Sequence, residues 1–152
     1  MIGFSQTTGY AIQALACLAG RDDGLAQAKE IAACTGIPGP YLSKILNTLS
    51  RAGLLLSKRG YRGGVGLARP ADRIGLIDIA SAVEGDEWLP NCLLGLSALE
   101  DECCPLHAFW KETRAQIEER LAALTLGDVL RFAQQRGRYL VPPCGSGVVA
   151  GD

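Results

Sequence analysis

Three thiols and the only histidine of this chain, Cys92, Cys103, Cys104 and His107, fall within sixteen residues. Thiolate and imidazole are strong donors to borderline metals, and a short loop can wrap them round one centre, so an iron-sulfur cluster or zinc fits these residue types. The adjacent pair Cys103 and Cys104 offers a second chemistry, since neighbouring thiols can be oxidised or can capture a thiophilic ion. Leu93, Leu94, Leu96 and Leu99 offer a third, because a loop this apolar can simply pack. The residues alone leave these readings open.

A different chemistry lies upstream, in residues 37–70. Leu42, Ile45, Leu46 and Leu49 fall at i, i+3, i+4 and i+7, which predicts an amphipathic helix with one core-facing stripe. Its other face carries Ser43, Lys44, Asn47, Thr48, Ser50 and Arg51. That is a set of donors and acceptors with two cations and no carboxylate, able to lie among phosphates and base edges without repulsion. Gly53 suits the left-handed position after a helix, and residues 54–57 and 65–69 read as two short strands. Between them Lys58, Arg59, Gly60, Tyr61, Arg62, Gly63 and Gly64 make a glycine-rich tip crowded with cations.

The charge balance separates these two regions. Residues 38–73 carry seven Lys or Arg against the single acid Asp72, whereas residues 74–137 carry five bases against eleven acids. A net charge of −1 thus conceals a cationic segment beside an acidic one, and local clustering is what marks a nucleic-acid footprint.

The remaining elements must hold the cationic segment in place. Ser5 is suited to cap a first helix to about Gly20, with Ala11, Ala14, Leu15, Leu18 and Ala19 inward and Cys17 as a small core filler. A turn at 21–25 leads to a short second helix ending at Gly36, from which Lys29 can reach backbone phosphate; Cys34 there reads as packing. Pro40 suits the first position of the third helix. Helix, turn, helix and hairpin is the winged form of a helix-turn-helix. A fourth helix with Ile79 and Val83 inward ends at Gly85. A long helix from His107 to about Leu124 carries Trp110, Ile117 and Leu124 at spacings of seven, as suits packing on a partner helix. Thr125 caps a last short helix. The fold class expected is mainly α with a small β-hairpin wing: a winged helix-turn-helix over 1–85, a cysteine-containing loop over 86–106, a dimerisation helix and final helix over 107–137, and a poorly ordered Pro- and Gly-rich tail over 138–152 that includes Cys144.

No apolar run approaches the ~20 residues needed to span a bilayer, and the first twenty residues do not resemble a secretory signal. The expected location is the cytoplasm, where six cysteines are read as buried groups or ligands and not as disulfides. An enzyme is disfavoured, since there is one histidine, no Cys-x-x-Cys and no evident carboxylate pair. The glycines at 60–66 lack the Gly-Lys-Ser/Thr ending of a phosphate loop.

The chain resembles the IscR-like, Rrf-type bacterial transcription regulators over about residues 5–130. The residues that carry the resemblance include Tyr10, Ala11, Ala14 and Leu15, then Glu30, Ile31 and Ala32, then Tyr41, Leu42, Ile45, Leu46 and Leu49. Ala52, Gly53, Leu54, Ser57, Arg59, Gly60, Gly63, Gly64 and Leu67 to Pro70 continue it, followed by Ile79, Ala82, Val83, Cys92, Cys104, His107, Trp110, Thr125 and Leu126. The resemblance implies a homodimer that binds a palindromic site in double-stranded DNA through the third helix and wing, with Arg59 as the wing arginine. By the same resemblance, the cluster-bearing relatives use three cysteines and often the histidine to hold a 2Fe-2S cluster. Cys92, Cys104 and His107 match that pattern, but Ala98 and Leu99 stand where relatives place the middle cysteine, leaving Cys103 as the only local substitute. The family's serine before the reading helix is replaced by Pro38 and Gly39, and Tyr61 and Arg62 stand where relatives often carry smaller residues. The expected function is a sequence-specific transcription regulator of the repressor kind, its DNA affinity tuned by a cluster or by the thiol state of the 92–107 loop. The alternative is a regulator of the same fold with no cofactor, or with another metal.

Overall fold

A computed structural model describes residues 4–21, 24–86, 88–95 and 104–135. The first helix, Gln6–Ala19 (α1), begins where the Ser5 side chain accepts the Thr8 N–H at 3.2 Å. Its Ala11, Ala14, Leu15, Cys17 and Leu18 are buried, so Cys17 is the core filler expected. The second helix, Ala28–Thr35 (α2), ends on Gly36 at φ +72°, the left-handed residue that lets the chain turn back. The third, Gly39–Arg51 (α3), sets Pro40 at its second position and not its first, because the helix already begins at Gly39.

Gly53 is also left-handed, and from it the chain enters Leu55–Lys58 (β1), which pairs antiparallel with Gly64–Leu67 (β2) in the register Leu55 to Leu67 and Lys58 to Gly64. The strands are thus shifted by about one residue from the sequence reading. Residues 21–25, read as a plain turn, lead into a third edge: Ala26 bridges Val65 antiparallel on the open side of β2. A 3₁₀ turn at Ala71–Arg73 precedes the fourth helix, Leu76–Glu84 (α4).

The fifth helix is Pro105–Ala122 (α5) and the last is Leu126–Gln135 (α6). Ile74 and Leu126 carry the corner that joins them to the rest, with Leu126 N–H donating to Ile74 O at 2.8 Å and Leu76 N–H to Leu124 O at 3.0 Å. One core runs through α1, α2, α3, α4 and α6, built on Leu15, Ile31, Leu42, Leu49, Leu54, Ile74, Ile79 and Leu126.

Two expectations for α5 are revised. The helix, expected from His107 to about Leu124, runs from Pro105 to Ala122, so Leu124 lies past its end and is 42% exposed. Trp110, placed toward a partner, is 1% exposed within its own chain, with its indole N–H donating to Pro90 O at 2.6 Å. The tail over 138–152, with Cys144, lies outside the described residues, as do Ala98, Leu99 and Cys103. Among the described residues no helix is long and apolar enough to cross a membrane.

Candidate nucleic-acid interface

On α3 the stripe Leu42, Ile45, Leu46 and Leu49 is buried, which turns Ser43, Lys44, Asn47 and Arg51 outward and leaves Thr48 half-buried. Pro38 supplies no side-chain cap, but its carbonyl accepts the Leu42 N–H at 2.9 Å. The Ser43 hydroxyl donates to Gly39 O at 3.0 Å, which leaves its lone pairs as the groups it can offer outward. The first turn of α3 is tied to α1 at Tyr41. Its hydroxyl lies 2.5 Å from that of Thr7, and its ring meets Tyr10 edge-on at 5.7 Å.

In the wing, Gly60 at φ +116° begins a turn that closes with the Gly63 N–H donating to Gly60 O at 2.9 Å. Lys58, Arg59, Tyr61 and Arg62 are all exposed. Among the described residues no carboxylate pairs with Lys44, Arg51, Lys58, Arg59 or Arg62, so their charge is available to a polyanion. Arg69 differs: it donates to Asp78 Oδ2 at 2.9 Å and so fastens the end of the wing to the start of α4. That carboxylate also takes the Gly75 N–H at 3.3 Å. Lys29 is exposed on α2.

Sequence reasoning missed the fasteners of this frame. Glu84, at the end of α4, accepts from the Ser5 N–H at 3.1 Å and from the Thr8 hydroxyl. Its carboxyl is held below the usual range chiefly by the Ser5 and Thr8 hydroxyls. Arg131 on α6 bonds both Asp72 and Asp128, the latter at 2.7 Å. Partners 59 to 79 positions apart carry no local pattern that could have announced them.

Of the candidate donors in the thiol loop, Cys92, Cys104 and His107 lie among the described residues. Cys92 is half-buried and lines a cavity of about 290 Å³ with Asp86, Leu89, Pro90, Asn91 and Arg114. Cys104 precedes the first turn of α5, and the His107 N–H donates to its carbonyl at 3.0 Å. His107 Nδ1 is buried with no hydrogen-bond partner among the described residues, as suits a nitrogen kept for a ligand. Yet no three His, Cys, Asp or Glu side chains among the described residues gather where they could hold a metal ion. The described donor set therefore does not by itself make a complete centre.

This frame matches known proteins along most of its length. The family model Rrf2, described as an iron-dependent transcriptional regulator, matches residues 4–131. An inferred HTH-type transcriptional regulator of Aquifex aeolicus (strain VF5) is 35% identical over 135 residues, covering 87% of this chain and 94% of its own. Among solved structures, T. potens IscR is 31% identical with a TM-score of 0.72, covering 89% of this chain and 90% of that one. CymR, the global cysteine regulator of B. subtilis, is 29% identical with a TM-score of 0.71, covering 87% and 98%. With a family match over most of its length, the chain belongs to the Rrf2 family, as a DNA-binding transcriptional regulator and not an enzyme.

Proposed function

We propose that the chain acts as a homodimeric repressor that sets α3 in the major groove and the wing in the minor groove of each half of a palindromic operator. The observation that carries this reading is the row of outward cations on α3 and the wing with no carboxylate partner among the described residues, beside an α3 face of short polar groups. Lys44, Arg51, Lys58, Arg62 and Lys29 contact phosphate, Ser43, Asn47 and Thr48 face base edges, and Arg59 and Tyr61 enter the minor groove. A second copy docks on α5, where Phe109 is 58% exposed and Leu106 also stands outward. The two-fold axis then spaces the reading helices by about one DNA turn.

The same reading makes the 92–107 loop the sensor. The iron-dependent description of the family and the resemblance to IscR and CymR support it, as does the orphaned His107 Nδ1. Cys92, Cys103, Cys104 and His107 are the candidate donors of a 2Fe-2S cluster. A cluster-free thiol switch is the second reading, favoured by the adjacent thiols Cys103 and Cys104 and by Ala98 and Leu99 standing where relatives place the middle cysteine. Either state orders the segment leading into α5 and so biases the angle between the two reading heads.

The test is selection of bound duplexes from a random pool by protein purified without oxygen, with its visible absorption recorded. Inverted repeats and a sedimentation mass of two chains are expected. A monomer selecting no symmetric site overturns the dimer reading, and operator affinity indifferent to cluster loss and to thiol oxidation overturns the sensor.

A further inference from the structure

The wing tip carries an aromatic side chain in an unusual position. Tyr61 and Arg62 are the two central residues of the turn that Gly63 N–H closes onto Gly60 O, and central turn residues project away from the hairpin. Tyr61 is 99% exposed, so its ring touches almost nothing of its own chain. The tip beneath it is tightly closed: a Cβ built on Gly63 would lie 2.2 Å from Lys58 O, and Gly60 holds a φ of +116° that other residues rarely adopt. The ring is thus presented on a narrow support of fixed shape.

A single exposed aromatic is ordinary on a protein surface. This one stands between Arg59 and Arg62, with Lys58 just behind, and none of the three cations has a carboxylate partner among the described residues. Cations bring the tip to phosphates, and the flat ring between them is the part that can meet bases, which present a π-face whatever their identity. Apolar side chains that enter the minor groove partly unstack a base step, most cheaply at a pyrimidine–purine step.

Resting on the reading that the wing meets DNA, we propose that Tyr61 is a wedge that enters the minor groove of duplex DNA and stacks on a base at a deformable step. The flank of each half-site is then read through the ease of opening that step. The hydroxyl of Tyr61 is not required, because the ring alone does the stacking.

The test uses the full chain and a duplex that the wild-type protein selects from a random pool, with 2-aminopurine placed in turn at each adenine of the flanks. Wild-type protein is expected to raise 2-aminopurine fluorescence at one step in each flank. Tyr61→Phe should keep both the signal and the affinity. Tyr61→Ala should abolish the signal and raise Kd by about tenfold or more, as removal of one base–aromatic stack does. A flat wild-type signal with Tyr61→Ala binding as tightly as wild type overturns the wedge while leaving DNA binding intact. Equal weakening in the Phe and Ala variants overturns it in favour of a hydroxyl bond. Failure to select any duplex overturns the underlying reading and the wedge with it.

Discussion

Ala26 and Val65 exchange both of their backbone hydrogen bonds, the Ala26 N–H donating to Val65 O at 2.9 Å and the Val65 N–H to Ala26 O at 2.8 Å. This single bridge joins the wing to the chain that leads into α2, and it demands bare backbone on both sides. A Cβ on Gly64 would stand 2.5 Å from Ala26 O, and one on Gly66 2.3 Å from Gly24 O. Gly64→Ala and Gly66→Ala are each expected to lower stability by about 1–3 kcal/mol, since backbone must move to admit the methyl. Gly9→Ala is expected to act oppositely. Gly9 lies within α1 with nothing within 4 Å of a built Cβ, so alanine should raise stability by roughly 0.5–1 kcal/mol. Urea denaturation of the three variants checks both signs.

The ion pair between Arg69 and Asp78 separates a structurally committed cation from those proposed to meet DNA. Lys58→Ala and Arg62→Ala should weaken binding on every sequence and flatten the dependence of log K on log salt by about one unit for each phosphate no longer neutralised. Arg69→Ala should leave that slope in place, because its guanidinium is already committed to a carboxylate. Asn47→Ala should instead change preference among bases, with little change in slope. Gel shifts on an operator panel at several salt concentrations decide this. A slope change with Arg69→Ala equal to that with Arg62→Ala would count against the division.

Much of this frame was legible from residue spacing. The stripe of Leu42, Ile45, Leu46 and Leu49 is a local, strongly periodic signal, and all four are buried. Ser5, Gly36, Gly53 and Gly85 mark ends as caps and turn residues do. The Ala26 edge was hidden because a one-residue bridge has no alternation to detect. The fate of Trp110 was hidden for a related reason. Spacings of seven report that a face is apolar and not which surface covers it, and here the loop at Pro90 covers part of it. Exposure of the cationic side chains was legible, but that Ser43 turns its proton back to Gly39 O was not.

Trp110 fixes the start of the thiol loop by its bond to Pro90 O, two positions before Cys92. Trp110→Phe removes the donor and leaves a small void in a side chain otherwise 1% exposed. A destabilisation of about 1–2 kcal/mol is expected, from the missing bond and the unfilled volume together. Thermal unfolding should shift down by roughly 2–4 °C per kcal/mol for a chain of this size. Alkylation of Cys92, followed by peptide mass spectrometry, should quicken as the segment loosens. An unchanged rate at lowered stability would mean that the loop is held elsewhere.

Asp128 gives the fold a defined response to acid. Its Oδ2 accepts the Thr125 hydroxyl at 2.7 Å and the Thr125 N–H at 2.9 Å, and Arg131 reaches its Oδ1 at 2.7 Å. In that order these donors favour the charged form and pull its pKa from the ordinary 3.8 to about 2. A depressed native pKa means that the unfolded chain takes up the proton first as pH falls. The stabilisation is therefore complete above the ordinary pKa and is lost between about 4 and 2. Asp128→Asn carries no such charge, so the difference in Tm between wild type and variant should be constant above about pH 5 and shrink steadily below about pH 4. Glu84 is depressed in both proteins and cancels in that difference. A difference that stayed constant down to about pH 2 would show that the Asp128 carboxylate does not stabilise the start of α6 through its charge.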